Sequence, residues 1–285
     1  MQGKVLWSLG LMMSLACLQA QVLYRTDFEN PPFTQGNIAG QDGWEEFHLG
    51  TPNLGQISTE LALSGTQSLK ITPVNGSANS WWWKAAPHDT RTSPNKIIDI
   101  RWDMYLVSSS RHGYYGIDVY SDTVERVCAL RVSPLNEVQF IEFVGGTTER
   151  VVSTGAFAMR DQWNRFRLII NYNTGTFQAF RNGQPVGSGR ISSLAGPVFS
   201  DADVWHFNEG SNSNDAAFYD NLRIAAVARV GQEGDVDGDG CVDDSDLLAV
   251  LFVFGSSDPG ADINQDGIVD DADLLIVLFN FGSGC

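Results

Sequence analysis

Residues 235–255 and 262–282 are two copies of one segment, and no other feature constrains the chain so tightly. The first reads DVDGDGCVDDSDLLAVLFVFG and the second DINQDGIVDDADLLIVLFNFG, with fourteen of 21 positions identical. In each copy oxygen-bearing side chains alternate over the first five positions, a glycine stands sixth, and an Asp stands twelfth, just before an apolar run. A twelve-residue loop of this spacing converges carboxylate, amide and carbonyl oxygens on one hard cation, and the glycine permits the sharp turn. The first copy offers Asp235, Asp237, Asp239, the backbone carbonyl of Cys241, and Asp246. The second offers Asp262, Asn264, Asp266, the carbonyl of Ile268, and Asp273. Two calcium ions are therefore expected, each loop leading into a short helix.

The charge distribution agrees. Of a net charge of −16, −13 belongs to residues 231–285, which hold Glu233, twelve Asp and no Lys or Arg. An acidic excess of this kind argues against a nucleic-acid partner, because phosphate binding needs the opposite sign.

On its loop spacing and duplication, the segment 231–285 resembles a type I dockerin module. In that family a duplicated calcium loop and helix dock secreted bacterial proteins onto cohesin domains. The resemblance implies a cohesin-like or other cell-surface partner. Family members read cohesin through small hydroxyl residues at loop positions 10 and 11 and through basic residues along the helix. Here those places hold Asp244-Ser245 and Asp271-Ala272, then Leu251-Phe252 and Leu278-Phe279. The calcium half of the pattern is kept, and the cohesin-reading half is not. The helices carry no polar face, so each must be covered on all sides or leave an apolar patch for a partner. Packing against the larger domain and an exposed docking patch are both open.

Residues 1–20 read as a signal peptide, with Lys4 ahead of an apolar run from Val5 to Leu18 and Ala20 at the cleavage position. Export to the cell surface or medium is the expectation. Cys17 after Ser14-Leu15-Ala16 has only a faint likeness to a lipidation box. No segment reaches the roughly 18 apolar residues that a membrane span needs. In an oxidising compartment Cys241 and Cys285, both in the acidic module, are expected to form a disulfide. Cys128 lies in an alternating stretch and reads as a small core residue.

Between these ends, residues 21–230 alternate polar and apolar with period two. Ile98, Ile100, Trp102, Met104 and Leu106 share one face, opposite Asp99, Arg101, Asp103 and Tyr105. Phe166, Leu168, Ile170 and Tyr172 repeat the pattern, and Asn173-Thr174-Gly175 and Asn182-Gly183 supply turns. Further strands are expected near 22–28, 68–73, 114–121, 127–133, 137–144, 203–208 and 216–226. A dozen short strands in some 200 residues imply a mostly β, two-sheet antiparallel sandwich of jelly-roll type, with the small α-helical calcium-loop module appended. The stretch WNRFRLIINYNTGTFQAFRNGQPV (163–186) and the ending AAFYDNLRI (216–224) resemble the concanavalin A-like lectin and glucanase sandwiches. That resemblance implies a closing strand beside YRTDFEN (24–30). It also suggests a structural calcium near Asp27, Glu29 and Asp220, where first and last strands meet.

The fold does not fix function. A retaining glucanase needs two carboxylates about 5 Å apart, set in this fold as Glu-x-Asp-x-x-Glu, and no such triplet occurs. Glu45-Glu46, Glu137 with Glu142, and Asp118 with Asp122 lack that spacing, and His48, His88, His112 and His206 are scattered. For glycan recognition the local candidate is Trp81-Trp82-Trp83. On a strand Trp81 and Trp83 share one face and Trp82 the other, and the outward rings would stand about 6.5–7 Å apart. The sequence thus points to an exported, calcium-binding protein with a glycan-recognising sandwich and a dockerin-like anchor. Two rivals stand beside that reading: a polysaccharide hydrolase or lyase of unfamiliar active site, and a structural surface protein that binds no sugar.

Overall fold

The structure is a computed structural model. It describes residues 20–75, 77–144, 148–210, 214–228, 234–237, 241–258, 260–263 and 268–284. The expected signal segment, Cys17, Asp239, Asn264, Asp266 and Cys285 lie outside them.

Among the described residues, seventeen strands precede two helices. In chain order the first nine strands are β1 (Gln21–Thr26), β2 (Gly36–Asn37), β3 (Trp44–Gly50), β4 (Leu54–Ser58), β5 (Ser68–Thr72), β6 (Ser77–Lys84), β7 (His88–Asp89), β8 (Ile97–Leu106) and β9 (Tyr114–Ser121). There follow β10 (Arg126–Val132), β11 (Glu137–Phe143), β12 (Glu149–Phe157), β13 (Trp163–Asn171), β14 (Thr176–Arg181), β15 (Gln184–Arg190), β16 (Val198–Phe207) and β17 (Ala217–Val227). Helices α1 (Asp244–Phe252) and α2 (Asp271–Asn280) close the described chain.

The strands form two antiparallel sheets. A nine-stranded sheet runs β15-β14-β13-β8-β17-β5-β4-β2, with β1 added to β17. An eight-stranded sheet runs β12-β11-β10-β9-β16-β6-β3, with β7 added to β16. The closing strand meets the first as expected, with Tyr24 opposite Ile224 and Thr26 opposite Leu222. Asn182 and Gly183 both take positive φ between β14 and β15, the turn that suits a right-twisted two-residue hairpin. No helix among the described residues is long and apolar enough to cross a membrane.

Side chains that alternate inward from the two sheets make one core. Ile98, Ile100, Trp102 and Met104 of β8 share it with Ile117 and Val119 of β9 and Val204 of β16. Trp82 of β6 is fully buried there. Gly55 of the facing sheet makes room for it, since a Cβ at that position would run into the indole. Cys128 is a free, buried thiol, as its place in β10 led one to expect.

The acidic segment has a separate core with internal symmetry. Val242, Val250, Val269 and Val277 fill it, joined by Val236, Leu247, Ile263 and Leu274, and these form pairs 27 residues apart. The backbone repeats the symmetry in a crossed manner. Val242 donates to Ser283 O at 2.9 Å and accepts from Gly282 N at 2.7 Å. Val269 donates to Ser256 O at 2.8 Å and accepts from Gly255 N at 2.7 Å. Each loop is thus fastened to the residues that follow the other helix. Cys241 is disulfide-bonded, and residues 282–283 run beside its neighbour Val242, while its expected partner Cys285 is outside the described set.

His206 of β16 turns inward against Tyr115, with ring centroids 4.5 Å apart, and is fully buried. Its Nδ1 lies 2.9 Å from the Tyr114 carbonyl, which can only accept, so Nδ1 carries the proton. Burial pulls the imidazole down to about 3, against a smaller upward effect of that bond. The unfolded chain takes up a proton below about pH 6.5 that the folded chain refuses. Stability from this group is therefore present above that pH and lost as pH falls toward 3. Urea unfolding across that window should show a decline up to about 1.4 kcal/mol per pH unit shallower in His206→Phe than in the parent chain.

Candidate functional site

The outer face of the eight-stranded sheet gathers acidic, aromatic and arginine side chains. The pleat decides its membership: where Ile117 and Val119 enter the core, Asp118 and Tyr120 point out, and where Ala202 and Val204 enter, Asp201, Asp203 and Trp205 point out. Asp118 and Asp203 stand directly opposite each other on β9 and β16. Trp205 is opposite Trp81 of β6, and Trp81 is opposite Phe47 of β3, so three aromatic residues line up across three strands. The position that would continue the row on β9 is Gly116, facing Trp205 on one side and Arg131 of β10 on the other. With no side chain between them, the Arg131 guanidinium reaches across, 4.3 Å from the Tyr114 ring centre and 5.8 Å from that of Trp205. Phe207 stacks on Tyr114 and on Trp205, at 5.8 Å and 6.3 Å.

The carboxylates have an unusual environment. Trp81 Nε1 donates to Asp118 Oδ2 at 3.2 Å, and Arg126 Nε lies 3.6 Å from the same oxygen. Arg126 is held in turn by Tyr120 and Glu149. Burial raises Asp118, with Arg126 opposing. Burial raises Asp203 well above the carboxylate range, and neighbouring Asp201 pushes the same way. Burial also lifts Asp201, against its bond from Ser200. Asp203 Oδ1 and Trp205 Nε1 are buried without a hydrogen-bond partner. Such a face can keep a proton on a carboxyl group at a pH where an exposed one is ionised, and can offer it to a hydroxylated ligand.

The tryptophan run alternates as expected, with Trp82 inside and Trp81 and Trp83 outside. Trp81 nevertheless does not project as a free ring: it is only 6% exposed, wedged against Phe47, while Trp83 is half-buried. The open surface of the face belongs instead to Tyr114, Phe207, Arg131, Trp83 and Phe47. Glu45 and Glu46 of β3 do not form a carboxylate pair, since Glu46 bonds the buried Trp82 indole. The histidines stay dispersed: His112 lies against the buried Asp215 and His88 bonds a loop carbonyl.

In the acidic module, Asp235, Asp237 and Asp246 bring ligand oxygens within 4.8 Å of one another, which suits one shared cation. Asp246 Oδ1 accepts from Val236 N at 2.6 Å and Asp237 N at 3.1 Å, and its Oδ2 accepts from Asp243 N at 2.9 Å. Asp273 repeats this with Ile263 N at 2.6 Å and Asp270 N at 3.0 Å. Both close capping boxes at the starts of α1 and α2. Cys241 and Ile268 are described, but the fit of the second loop involves Asn264 and Asp266, which are not. The three sandwich acids are not gathered among the described residues. Glu29 takes the N–H groups of Thr66 and Gln67, Asp220 those of Leu63 and Ser64, and Asp27 that of Glu29. Burial lifts Asp220 to about 7 in spite of those bonds.

The helix faces are open. Phe252 is 83% and Phe279 84% exposed, with Leu248, Leu251, Leu275 and Leu278 around them. Of the two expectations for these helices, the structure has the uncovered patch.

No protein-family model matches the chain, and no curated protein matches it. Solved structures do. A sialidase is similar with a TM-score of 0.53 at 11% identity, over 74% of this chain but only 19% of that one. A cellulose induced protein, Cip1, gives 0.52 at 11% over 70% and 96%. An endo-beta-1,4-glucuronan lyase from the fungus Trichoderma reesei gives 0.50 at 12% over 75% and 97%. At these identities the likeness is one of fold, and it bears out the two-sheet sandwich.

The burial of the two outward tryptophans makes a separable prediction. Trp81→Ala should lower the unfolding free energy by about 3–5 kcal/mol, and Trp83→Ala by clearly less. Urea titration of both variants measures the difference.

Proposed function

We propose that the outer face of the eight-stranded sheet binds a glycan, and that the C-terminal module holds two calcium ions and anchors the protein to a surface partner. One observation carries the glycan reading. Tyr114, Phe207 and Trp205 stand ring against ring on this face, with the Arg131 guanidinium over Tyr114 and Trp205, a combination of flat apolar faces and donors that suits a ligand rich in hydroxyl groups. Tyr114 and Phe207 add ring faces for pyranose stacking, and Arg131 and Arg126 add donors. The solved structures of similar fold named for a lyase and a sialidase are consistent with a saccharide ligand.

A second reading, glycan cleavage, is favoured by the opposed Asp118 and Asp203. A buried carboxyl with its proton retained, beside a second carboxylate near Arg126, is equipped for general-acid work on a glycosidic oxygen. The two readings part cleanly: reducing-sugar or unsaturated-product release that Asp203→Asn abolishes marks an enzyme, and saturable binding without product marks a lectin.

Calcium is supported by the three-carboxylate cluster at Asp235, Asp237 and Asp246, and by the repetition of its closing acid at Asp273. Anchoring is supported by the duplicated apolar patch around Phe252 and Phe279. Secretion is the compartment that a disulfide at Cys241 favours.

On a glycan array and on insoluble polysaccharide, the parent chain should be retained. Arg131→Gln and Tyr114→Ala should each bind roughly tenfold more weakly, as expected for loss of a charged hydrogen bond or stacking ring, with little change in melting temperature. Absence of any retained glycan would leave only the structural role. Calorimetric titration with calcium should show two sites in the full chain, and Asp246→Ala should remove one. At free calcium about a thousandfold above the dissociation constant, each site adds roughly 4 kcal/mol to the module. A melting profile identical with calcium and with excess chelator would exclude the calcium reading.

A further inference from the structure

On the opposite side of the sandwich, the outer face of the nine-stranded sheet carries four arginines in one cross-strand row. Arg167 of β13 is opposite Arg101 of β8, Arg101 is opposite Arg223 of β17, and Arg223 is opposite Arg25 of β1. Like charges placed directly opposite destabilise a sheet, so the row needs anions.

Three of the four have them. Asp99 takes Arg101 at 2.8 Å and Arg167 at 2.8 Å, and Asp258 of the acidic module takes Arg25 at 2.8 Å. Asp103 serves Arg165, which stands beside the row. The Arg223 guanidinium makes no hydrogen bond or ion pair among the described residues. It is half-buried, and burial followed by the nearness of Arg101 pulls it below the usual arginine range, with Arg25 and Arg167 adding to the effect and Asp99 opposing.

Arg223 opens into a cavity of about 700 Å³ between the sheet and the acidic module. This volume suits a small ligand. Its walls are polar as well as cationic: Asn182, Gln184 and Asn221 offer amides, and Phe180 offers a ring. The module contributes Asp235 and Asp262, which are the first expected ligands of the two calcium loops. On the calcium reading those two charges are committed to cations, and the arginines are left in excess.

We infer that this cleft is a binding site for an acidic saccharide, its carboxylate seated on the arginine row at Arg223 and its hydroxyl groups facing the amides. Guanidinium and carboxylate match in a planar, two-bond geometry that no neutral sugar reproduces. The site is on the other sheet from the aromatic face and does not depend on the function proposed for that face.

The test is calorimetric titration of the full chain, with calcium present, against a uronic-acid trisaccharide, its neutral carboxyl-reduced counterpart, and inorganic sulfate. The uronate should bind saturably, and the neutral sugar and sulfate at least about tenfold more weakly, the loss expected when a charged hydrogen bond is removed. Arg223→Gln should lose at least as much affinity for the uronate. Because the substitution relieves repulsion within the row, its melting temperature should be unchanged or higher, which separates lost binding from lost fold. Arg223→Lys should bind at an intermediate level, the charge being kept without the planar fork. The assignment is overturned if the uronate does not bind, if sulfate or the neutral sugar binds as tightly, or if Arg223→Gln retains the parent affinity.

Discussion

Ile98, Ile100, Trp102 and Met104 from one sheet meet Ile117, Val119 and Val204 from the other in a single apolar layer, and the pleat makes everything else in the sandwich follow from it. Successive side chains on a strand point to opposite faces, so fixing the inward set fixes the outward one. On β8 the outward set is Asp99, Arg101 and Asp103. On β16 it is Asp201, Asp203 and Trp205. A slip of one residue would send these charges into the core and the aliphatic chains into water, so register is held by a large hydrophobic penalty. The aromatic and carboxylate face and the arginine face are two products of one packing constraint, with opposite chemistry because the two sheets place different residues between their core positions.

Much of the architecture was legible for the same reason. Strands β8, β9, β10, β11 and β17 begin and end within about one residue of the alternating stretches that announce them, β13 starts three residues before its own, and the Asn182-Gly183 turn and the pairing of β1 with β17 follow the expected pattern. Strands β2, β3, β4, β7 and β12 match none of the expected stretches. In β12 the burial pattern never reaches a fully buried residue, as expected of an edge strand, so there is little apolar periodicity to read. The carboxylate pair was hidden for another reason. In sequence the nearest acid that follows Asp118 is Asp122, four residues on, whereas its structural partner Asp203 is far along the chain and becomes a neighbour only when β9 and β16 pair. The run Asp201-Ala202-Asp203-Val204-Trp205-His206-Phe207 did carry a signal, since its alternate residues are acidic and aromatic. The pleat alone gives the direction of the tryptophan triplet but leaves its exposure open, because neighbouring strands decide whether an outward ring is covered.

The acidic module shows how one carboxylate can join local and distant structure. Asp246 accepts hydrogen bonds from the loop at Val236 and Asp237 and from Asp243 at the start of α1. Loop closure and helix initiation therefore share one side chain. The same geometry at Asp273 makes the repetition structural as well as sequential. Crossed pairing of Val242 with 282–283 and of Val269 with 255–256 then ties the two halves into one unit, so neither half has a complete set of partners alone. Arg25 and Asp258 connect this unit to the sandwich at the end of the arginine row.

The pairing of β1 with β17 bears on how the chain is made. Gln21 is opposite Ala226 and Thr26 is opposite Leu222, so the first strand of the sandwich to leave the ribosome waits for the last. Until then its hydrogen-bonding edge is unsatisfied, and β8 likewise lacks β17 on one side. Pairings this distant in sequence are slow to form, because the entropy of closing a long loop is lost before any contact is gained. A nascent chain in that interval exposes strand edges that invite pairing with another copy. The nine-stranded sheet can therefore be completed only once residues 217–227 are available to join β1 and β8.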